Sequence, residues 1–322
     1  MPSAPIRFTE RGDFMKVVCV AGPTATGKTR LGVYLAEKLN GEVISCDSMQ
    51  IYRGMDVGTA KVTQEEMRGI KHHMIDVAEP GEDFSVAAYV LMATPIVEDV
   101  ISRGKTPIVV GGTGLYMDSL IRGTDFADNG SGQVRRELEK IAREQGGEKL
   151  LEMLREVDGE TAETLHPNNV KRIVRALEVY RLTGETISEH DRRTKERPDR
   201  FEAVRIVLSY ADRQKLYDRI DSRVDVMLEN GLENEVRGLL HALPENSTAM
   251  AAIGYKEMAE YLRGECTLSE AAEKIKLLSR RYAKRQVTWF KRNGDAKWLF
   301  VDEYPDFSHV EKLAEQFVRE NI

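Results

Sequence analysis

The run KVVCVAGPTATGKTRLGVYLAEKLN, residues 16–40, constrains the chain more than any other stretch. Its opening, KVVCVAG, is an apolar run bounded by a turn signal. That predicts a strand buried on both faces of a parallel sheet. Leu31, Leu35 and Leu39 recur at i, i+4 and i+8, which predicts a helix over 29–39. Between them, Gly22, Pro23, Thr24, Ala25, Thr26, Gly27, Lys28 and Thr29 fit G-x-x-x-x-G-K-[ST] in full. The glycines let backbone N–H groups converge on phosphate oxygens, and the helix N-terminus adds partial positive charge. Lys28 reaches the terminal phosphate, and the Thr29 hydroxyl can ligate Mg²⁺. Such a loop announces a polyphosphate ligand but not the reaction.

The same grain continues. GEVISCDS repeats strand then polar turn, and KTPIVVGGTG does so again after a helix carrying Val90, Ile96, Val97 and Val100. FEAVRIVLSY and the late KWLFVD are further strand candidates. Strands alternating with helices predict an α/β fold: a P-loop parallel sheet core flanked by helices, with right-handed crossovers. Between about Arg122 and Pro198 the chain turns charged, helix-periodic and poor in strand signals, with the breakers DNGSGQ and KERPDR at its ends. The expected domains are therefore a catalytic core over 15–121 and 199–322 and an all-helical insertion domain over 122–198. Residues 1–14 read as a flexible extension, with Met15 able to serve as an alternative start.

Bulk properties exclude some functions. With 322 residues and 41% hydrophobic content there is ample material for a core. A net charge of −6 argues against coating nucleic acid through bulk charge, while leaving room for a local basic surface. Cys19, Cys46 and Cys266 lie far apart without metal spacing, so they read as buried small hydrophobes in a reducing compartment. No apolar run approaches the ~20 residues that span a bilayer. The N-terminus carries no apolar signal region. The expectation is a cytoplasmic protein, without membrane contact and monomeric.

The rest of the site must come from other strand ends. A P-loop phosphotransferase places an acidic residue at the end of a second strand to hold Mg²⁺. Here the candidate strand ends in Gly111, Gly112, Thr113 and Gly114. This is a second backbone-exposed turn, or simply a strand-to-helix connection. Asp47 follows the strand EVIS at the same sheet edge. It can hold magnesium through water or accept a substrate proton; equally, a lone aspartate in a turn can cap that turn. Its company is Ser48, Met49, Gln50, Tyr52, Arg53 and Lys61. Glutamine can pair with an adenine edge, and tyrosine can stack on a base.

In order, GPTATGKT, ISCDSMQIYRGMDVGTAK, HHMIDV, GGTGLY, HPNNVKRIVRALEVYRLTG, IGYKE and RRYAKRQVTWFKR resemble the tRNA dimethylallyltransferase family. The resemblance covers nearly the whole chain from Val17 to Arg292. The Asp-Ser-x-Gln block is its specific part, since the P-loop alone does not separate this family from kinases. What it implies is transfer of a dimethylallyl group from dimethylallyl diphosphate to N6 of an adenine, position 37 in the tRNA anticodon loop. Under that resemblance Asp47 is the general base, Thr113 positions the adenine or its proton, and Lys28 and an arginine neutralise the leaving diphosphate. Arg219 and Arg223 stand at i, i+4. Arg223 is the candidate carried forward, against a salt-bridged face with Asp218, Asp221 and Asp225. Thr26 stands where a smaller residue is usual for the family. No zinc-finger tail follows, which points to the bacterial or organellar type.

The RNA-facing expectations come last. Lys274, Arg281, Arg285 and Arg292 form one helical stripe without intervening acids, beside an apolar face of Ile275, Leu278, Tyr282 and Trp289. By resemblance, Asp47, Ser48, Met49, Gln50, Thr113, Arg135, Lys171, Arg172, Ile173, Val174, Arg175 and the segment 251–256 meet the tRNA anticodon stem-loop. His72, His73 and His166 lack metal partners and read as core or turn histidines. Three rivals use the same loop: a small-molecule or nucleotide kinase, a nucleotide-switched RNA-binding protein, and an enzyme that prenylates free adenine nucleotides.

Overall fold

Lys16–Ala21 (β1) forms a strand whose residues from Val17 to Val20 are fully buried. The structure, a computed structural model, describes residues 15–124, 126, 132–240, 243 and 247–322. The expected extension over 1–14 and most of the DNGSGQ breaker lie outside them. After β1 come α1 (Lys28–Lys38), β2 (Gly41–Ser45), α2 (Gln64–Met67), β3 (His72–His73), α3 (Val86–Ser102), β4 (Thr106–Gly111) and α4 (Gly114–Arg122). The insertion holds α5 (Gln133–Val157), α6 (Gly159–Glu163), α7 (Val170–Thr183) and α8 (Ile187–Glu196). The chain then resumes with β5 (Glu202–Ser209), α9 (Arg213–Glu229), α10 (Leu232–Leu240), α11 (Tyr255–Leu262), α12 (Leu268–Phe290), β6 (Lys297–Phe300) and α13 (Phe307–Asn321).

The described strands make one sheet in the order β3-β2-β4-β1-β5-β6, every neighbouring pair parallel. β4 therefore lies between β1 and β2, and β5 flanks β1 on the other side. This reversal of strand order opens a crevice at the carboxyl ends, where α/β sheets bind ligands. The apolar runs make buried strands because both faces are covered. Leu31 and Leu35 of α1 and Val310, Ala314 and Val318 of α13 pack with Val18, Val20, Ile108, Val110, Ile206 and Leu208. Elsewhere Tyr89 of α3 stacks on Tyr116 of α4 at 4.6 Å and donates to the Ser45 carbonyl, which fixes the end of β2.

A second core gathers the segment after β2 with α9–α12: Ile51, Tyr52, Met55, Val224, Leu232, Val236, Tyr255, Met258 and Ile275 are buried together. Of the described residues, those up to Gly123 and from Arg200 onward form one compact unit, and those between form another. In the second unit the described elements are all helices, closed over Leu138, Leu150, Leu154, Ile173, Val174 and Leu177. Gly146, at φ 82° and ψ 171°, kinks α5.

Candidate active site

Three strand ends build the site. At the end of β1, Gly22 has φ 140°, and a Cβ there would stand 2.2 Å from the Leu208 carbonyl oxygen. Only glycine fits so close a strand crossing. The Pro23 carbonyl accepts from Thr26 Oγ1 at 2.9 Å and from Lys28 Nζ at 2.7 Å. Arg219 Nε donates to the Ala25 carbonyl at 3.1 Å. The loop is thus braced by its own side chains and by α9.

At the end of β2, Asp47 Oδ1 accepts from Met49 N at 2.9 Å and from Gln50 N at 3.3 Å. The turn-capping alternative is realised, yet Oδ2 takes no hydrogen bond among the described residues. One carboxylate can hold its turn with one oxygen and serve a ligand with the other. At the end of β4, a Cβ on Gly111 would meet the Cys46 carbonyl oxygen at 1.9 Å, so these two loops touch backbone to backbone. Thr113 N donates to Cys46 O at 3.2 Å, and Thr113 Oγ1 accepts from Ser48 N at 3.1 Å. No carboxylate ends β4.

These loops open on a cavity of about 900 Å³ whose lining includes Thr24–Arg30, Asp47–Gln50, Arg223, Tyr282, Arg285 and Gln286. Thr113 stands one hydrogen bond behind Ser48 in this wall. Burial, reinforced by the Arg223 guanidinium, pushes the Lys28 ammonium down to about 7, and Asp47 pulls it back up. Burial also lowers Arg223, again against Asp47. Lys28, Arg30, Arg219, Arg223 and Arg285 line the cavity against Asp47, Glu66 and Asp218, leaving an excess of positive charge that an anionic ligand would neutralise. Arg223 Nη2 is aimed by the Thr59 carbonyl at 3.3 Å. Two of the three aspartates of α9 are paired with other cations, Asp221 with Arg280 at 2.6 Å and Asp225 with Lys276 at 2.7 Å, while the third, Asp218, lines the cavity and accepts from Gln214 Nε2 at 2.9 Å. For a metal, the described residues hold no group of three or more His, Cys, Asp or Glu side chains. Thr29 lines the cavity. That donor set fits Mg²⁺, which keeps few protein ligands and is held largely by substrate phosphates and water.

The family model described as IPP transferase matches residues 50–293, and that described as isopentenyl transferase matches residues 15–81. A tRNA dimethylallyltransferase of Thermoanaerobacter sp. strain X514 is 50% identical over 301 residues, covering 92% of this chain and 96% of that one. Another, from Caldanaerobacter subterraneus subsp. tengcongensis, is 50% identical over 311 residues, 96% of each chain. The chain belongs to the tRNA dimethylallyltransferase family. Solved structures agree with that membership. The full-length tRNA isopentenylpyrophosphate transferase of Bacillus halodurans is 43% identical with TM-score 0.71, covering 95% of this chain and 96% of that one. A eukaryotic dimethylallyltransferase acting on tRNA is 31% identical with TM-score 0.75, covering 88% of this chain and 73% of that one.

In this member of the dimethylallyltransferase family some expected contacts do not reach the cavity. Tyr52 is fully buried and donates to the Glu82 carbonyl, so its ring cannot stack on a base. Arg53 pairs with Glu79, and Lys61 with Asp56 and Asp76. Gln50 lines the cavity, but its amide is engaged by Ser45 Oγ and the Thr59 and Ala60 carbonyls. In the insertion, Ile173 and Val174 are 0% and 3% exposed, so as side chains they belong to the core and not to an RNA surface. Lys171 and Arg172 on the same turn are exposed. Arg135 and Arg175 both pair with the buried Glu178, at 2.7 Å and 2.9 Å. On α12 the buried stripe is Ala271, Ile275, Ala283, Gln286 and Phe290, rotated from the expected one. Trp289 sits at its edge because its Nε1 donates to Asp118 at 2.7 Å. Lys274 is neutralised by Glu260, whereas Arg281 is exposed, Arg285 lies over the Tyr282 ring at 5.4 Å and Arg292 over Trp289 at 5.0 Å. His73 pairs with the buried Glu42 at 2.8 Å and His72 with the Ile70 carbonyl.

Two site residues escaped the sequence reading. Gln286 bridges the first and third loops: its Oε1 accepts from Thr24 N at 3.1 Å and its Nε2 donates to Gly112 O at 2.9 Å. Glu235 of α10 accepts from the N–H groups of Asp56, Val57 and Gly58 at 2.8–3.0 Å and from the Tyr255 hydroxyl at 2.6 Å. It thereby fixes the segment whose Thr59 carbonyl aims Arg223.

Proposed function

We propose that this chain transfers the dimethylallyl group of dimethylallyl diphosphate to N6 of adenine 37 in the tRNA anticodon loop, releasing diphosphate. The observation that carries the reading is the meeting, in one cavity, of a cation-rich phosphate loop and a carboxylate from the neighbouring strand end. The P-loop N–H groups, Lys28 and Arg223 hold the diphosphate and neutralise the charge it gains. The adenine amine attacks the allylic C1 as the C–O bond breaks, and the electron pair leaves with diphosphate. Asp47 Oδ2 takes the proton that the alkylated nitrogen must lose. Ser48, backed by Thr113, walls the nucleophile's side. Thr29 would hold Mg²⁺, which would supply further charge neutralisation. A kinase is disfavoured because β4 ends in Gly-Gly-Thr-Gly without a carboxylate.

Its test uses the purified chain, Mg²⁺, dimethylallyl diphosphate and an unmodified anticodon stem-loop, with mass spectrometry of the digested nucleosides. Prenyl-adenosine is the expected product; its absence alongside ATP turnover would give the site to a kinase. The exposed arginines of α12 supply the RNA contact. Arg281→Glu with Arg285→Glu weakens stem-loop binding at low salt and flattens the slope of log Kd against log salt by about 2. An unchanged slope makes this face merely solvated.

A further inference from the structure

We infer that Gln286 is a positioning residue for prenyl transfer: its amide bolts the diphosphate loop to the loop that carries Thr113. The inference rests on the proposed activity.

The two loops come from adjacent strands, β1 and β4. Beyond their ladder, which ends at Ala21 and Gly111, no hydrogen bond among the described residues runs directly between residues 22–29 and 111–114. Gln286 provides the connection from α12. Thr24 N can only donate and Gly112 O can only accept, so the bridge needs an acceptor and a donor on one small rigid group. A side-chain amide is that group. The glutamine is 6% exposed, its bond to Gly112 O is buried and its bond to Thr24 N is part-buried at the cavity wall, so water is a poor substitute for these partners. Gly112 lets it come this near, because a Cβ there would stand 2.2 Å from Gln286 Nε2. The helix that carries Gln286 is itself pinned beside the same loop. Trp289 Nε1 and Asn293 Nδ2 donate to the two oxygens of Asp118 on α4, at 2.7 Å and 3.3 Å.

Displacement at C1 requires the leaving oxygen, the carbon and the adenine nitrogen in line. The first is held by the P-loop. The last is set by Asp47 and Ser48, on the segment that Thr113 holds at Cys46 O and Ser48 N on either side of Asp47. Gln286 therefore sets the separation of the two halves of the reaction while touching neither reacting atom. A misplacement of about 1 Å costs on the order of 10²-fold in rate.

The test is Gln286→Met, which keeps the volume and removes both hydrogen bonds. In the full-length chain kcat falls about 10²-fold. Equilibrium affinities for dimethylallyl diphosphate and for the stem-loop each stay within threefold. Because Gln286 acts through the loop bearing Thr113, Thr113→Ala with Gln286→Met loses far less than the product of the single losses. Gly112→Ala pushes on the same amide from the other side and gives the same pattern, so it decides the matter where Gln286→Met does not fold. Gln286→Glu adds a chemical rescue. A protonated carboxyl restores the donor, so its rate relative to wild type rises as pH falls, burial favouring protonation against the cations Lys28, Arg223 and Arg285 of the same cavity. A kcat within threefold of wild type, a loss confined to KM, multiplicative losses or a flat relative pH profile overturns the inference. A wild-type chain that makes no prenyl-adenosine overturns the proposed function itself.

Discussion

Asp47→Asn lowers the single-turnover rate of prenyl transfer by about 10²–10⁴-fold while leaving the binding of both substrates intact. The asparagine variant separates two jobs that one side chain performs. Oδ1 of Asp47 accepts from Met49 N and Gln50 N, and an asparagine oxygen keeps both bonds. The turn after β2 therefore survives, and with it the positions of Ser48 and Gln50. What disappears is the charge and the basic Oδ2. The adenine amine is a poor nucleophile, and its alkylated form must shed a proton. The other carboxylates lining the cavity, Glu66 and Asp218, are engaged by Thr63 N and Gln214 Nε2. Asp47 also opposes Lys28 and Arg223 electrostatically. Removing it leaves the cation excess larger, so affinity for dimethylallyl diphosphate holds or rises. Rapid-quench kinetics with saturating RNA, beside equilibrium binding of each substrate, reads both effects. A rate within threefold of wild type assigns the proton elsewhere.

How much of this was legible follows from where each signal resides. The P-loop, its strand and its helix are local: apolar runs, glycines and a 3.6-residue period fall within 25 residues of sequence. The position of Asp47 is nearly as local, since it stands two residues after the end of the buried strand β2. The α/β class follows from alternation, and the helical insertion from its charged period. The two-residue β3 left no trace in the sequence because it exists only by pairing with Val43 and Ile44.

What the local pattern leaves open is which side-chain partners folding supplies. Tyr52 and Lys61 stand in a polar-looking stretch that resembles a binding loop. Packing against α9–α12 buries the tyrosine, and Asp56 and Asp76 consume the lysine. Gln286 lies 174 residues from Gly112, within a run of basic residues that drew attention to charge. A signal was nevertheless present. Position 286 falls on the stripe of Ala271, Ile275, Ala283 and Phe290, and a polar residue on a buried stripe needs a partner. Ile173 and Val174 were readable in the same way, because with Leu177 they make the apolar side of α7.

The second large effect belongs to Lys28. In the ligand-free protein burial and Arg223 bring its ammonium down to about 7. A bound diphosphate supplies the missing negative charge and raises it again. Above pH 7 the loop must therefore take up a proton as it binds, and affinity for dimethylallyl diphosphate falls with rising pH by at most about tenfold per unit. Calorimetry in buffers of different ionisation enthalpy measures that uptake. Subtracting the same experiment on Lys28→Met removes the titration of the diphosphate itself. The methionine variant shows no lysine-linked uptake, and its rate of transfer falls about 10²–10³-fold, because one charge no longer meets the developing diphosphate. Stability runs the opposite way. The unfolded chain binds a proton at Lys28 that the folded chain has shed between about pH 7 and about pH 10.5, so ligand-free stability gains from this group as pH rises through that window. Below it the charged lysine is held at a cost, and Lys28→Met melts at a higher temperature than the wild-type chain at pH 6 while binding its diphosphate less well. A variant that loses both stability and affinity at pH 6 would place Lys28 in an ordinary structural role, whereas opposite signs identify a charge buried for the ligand's sake.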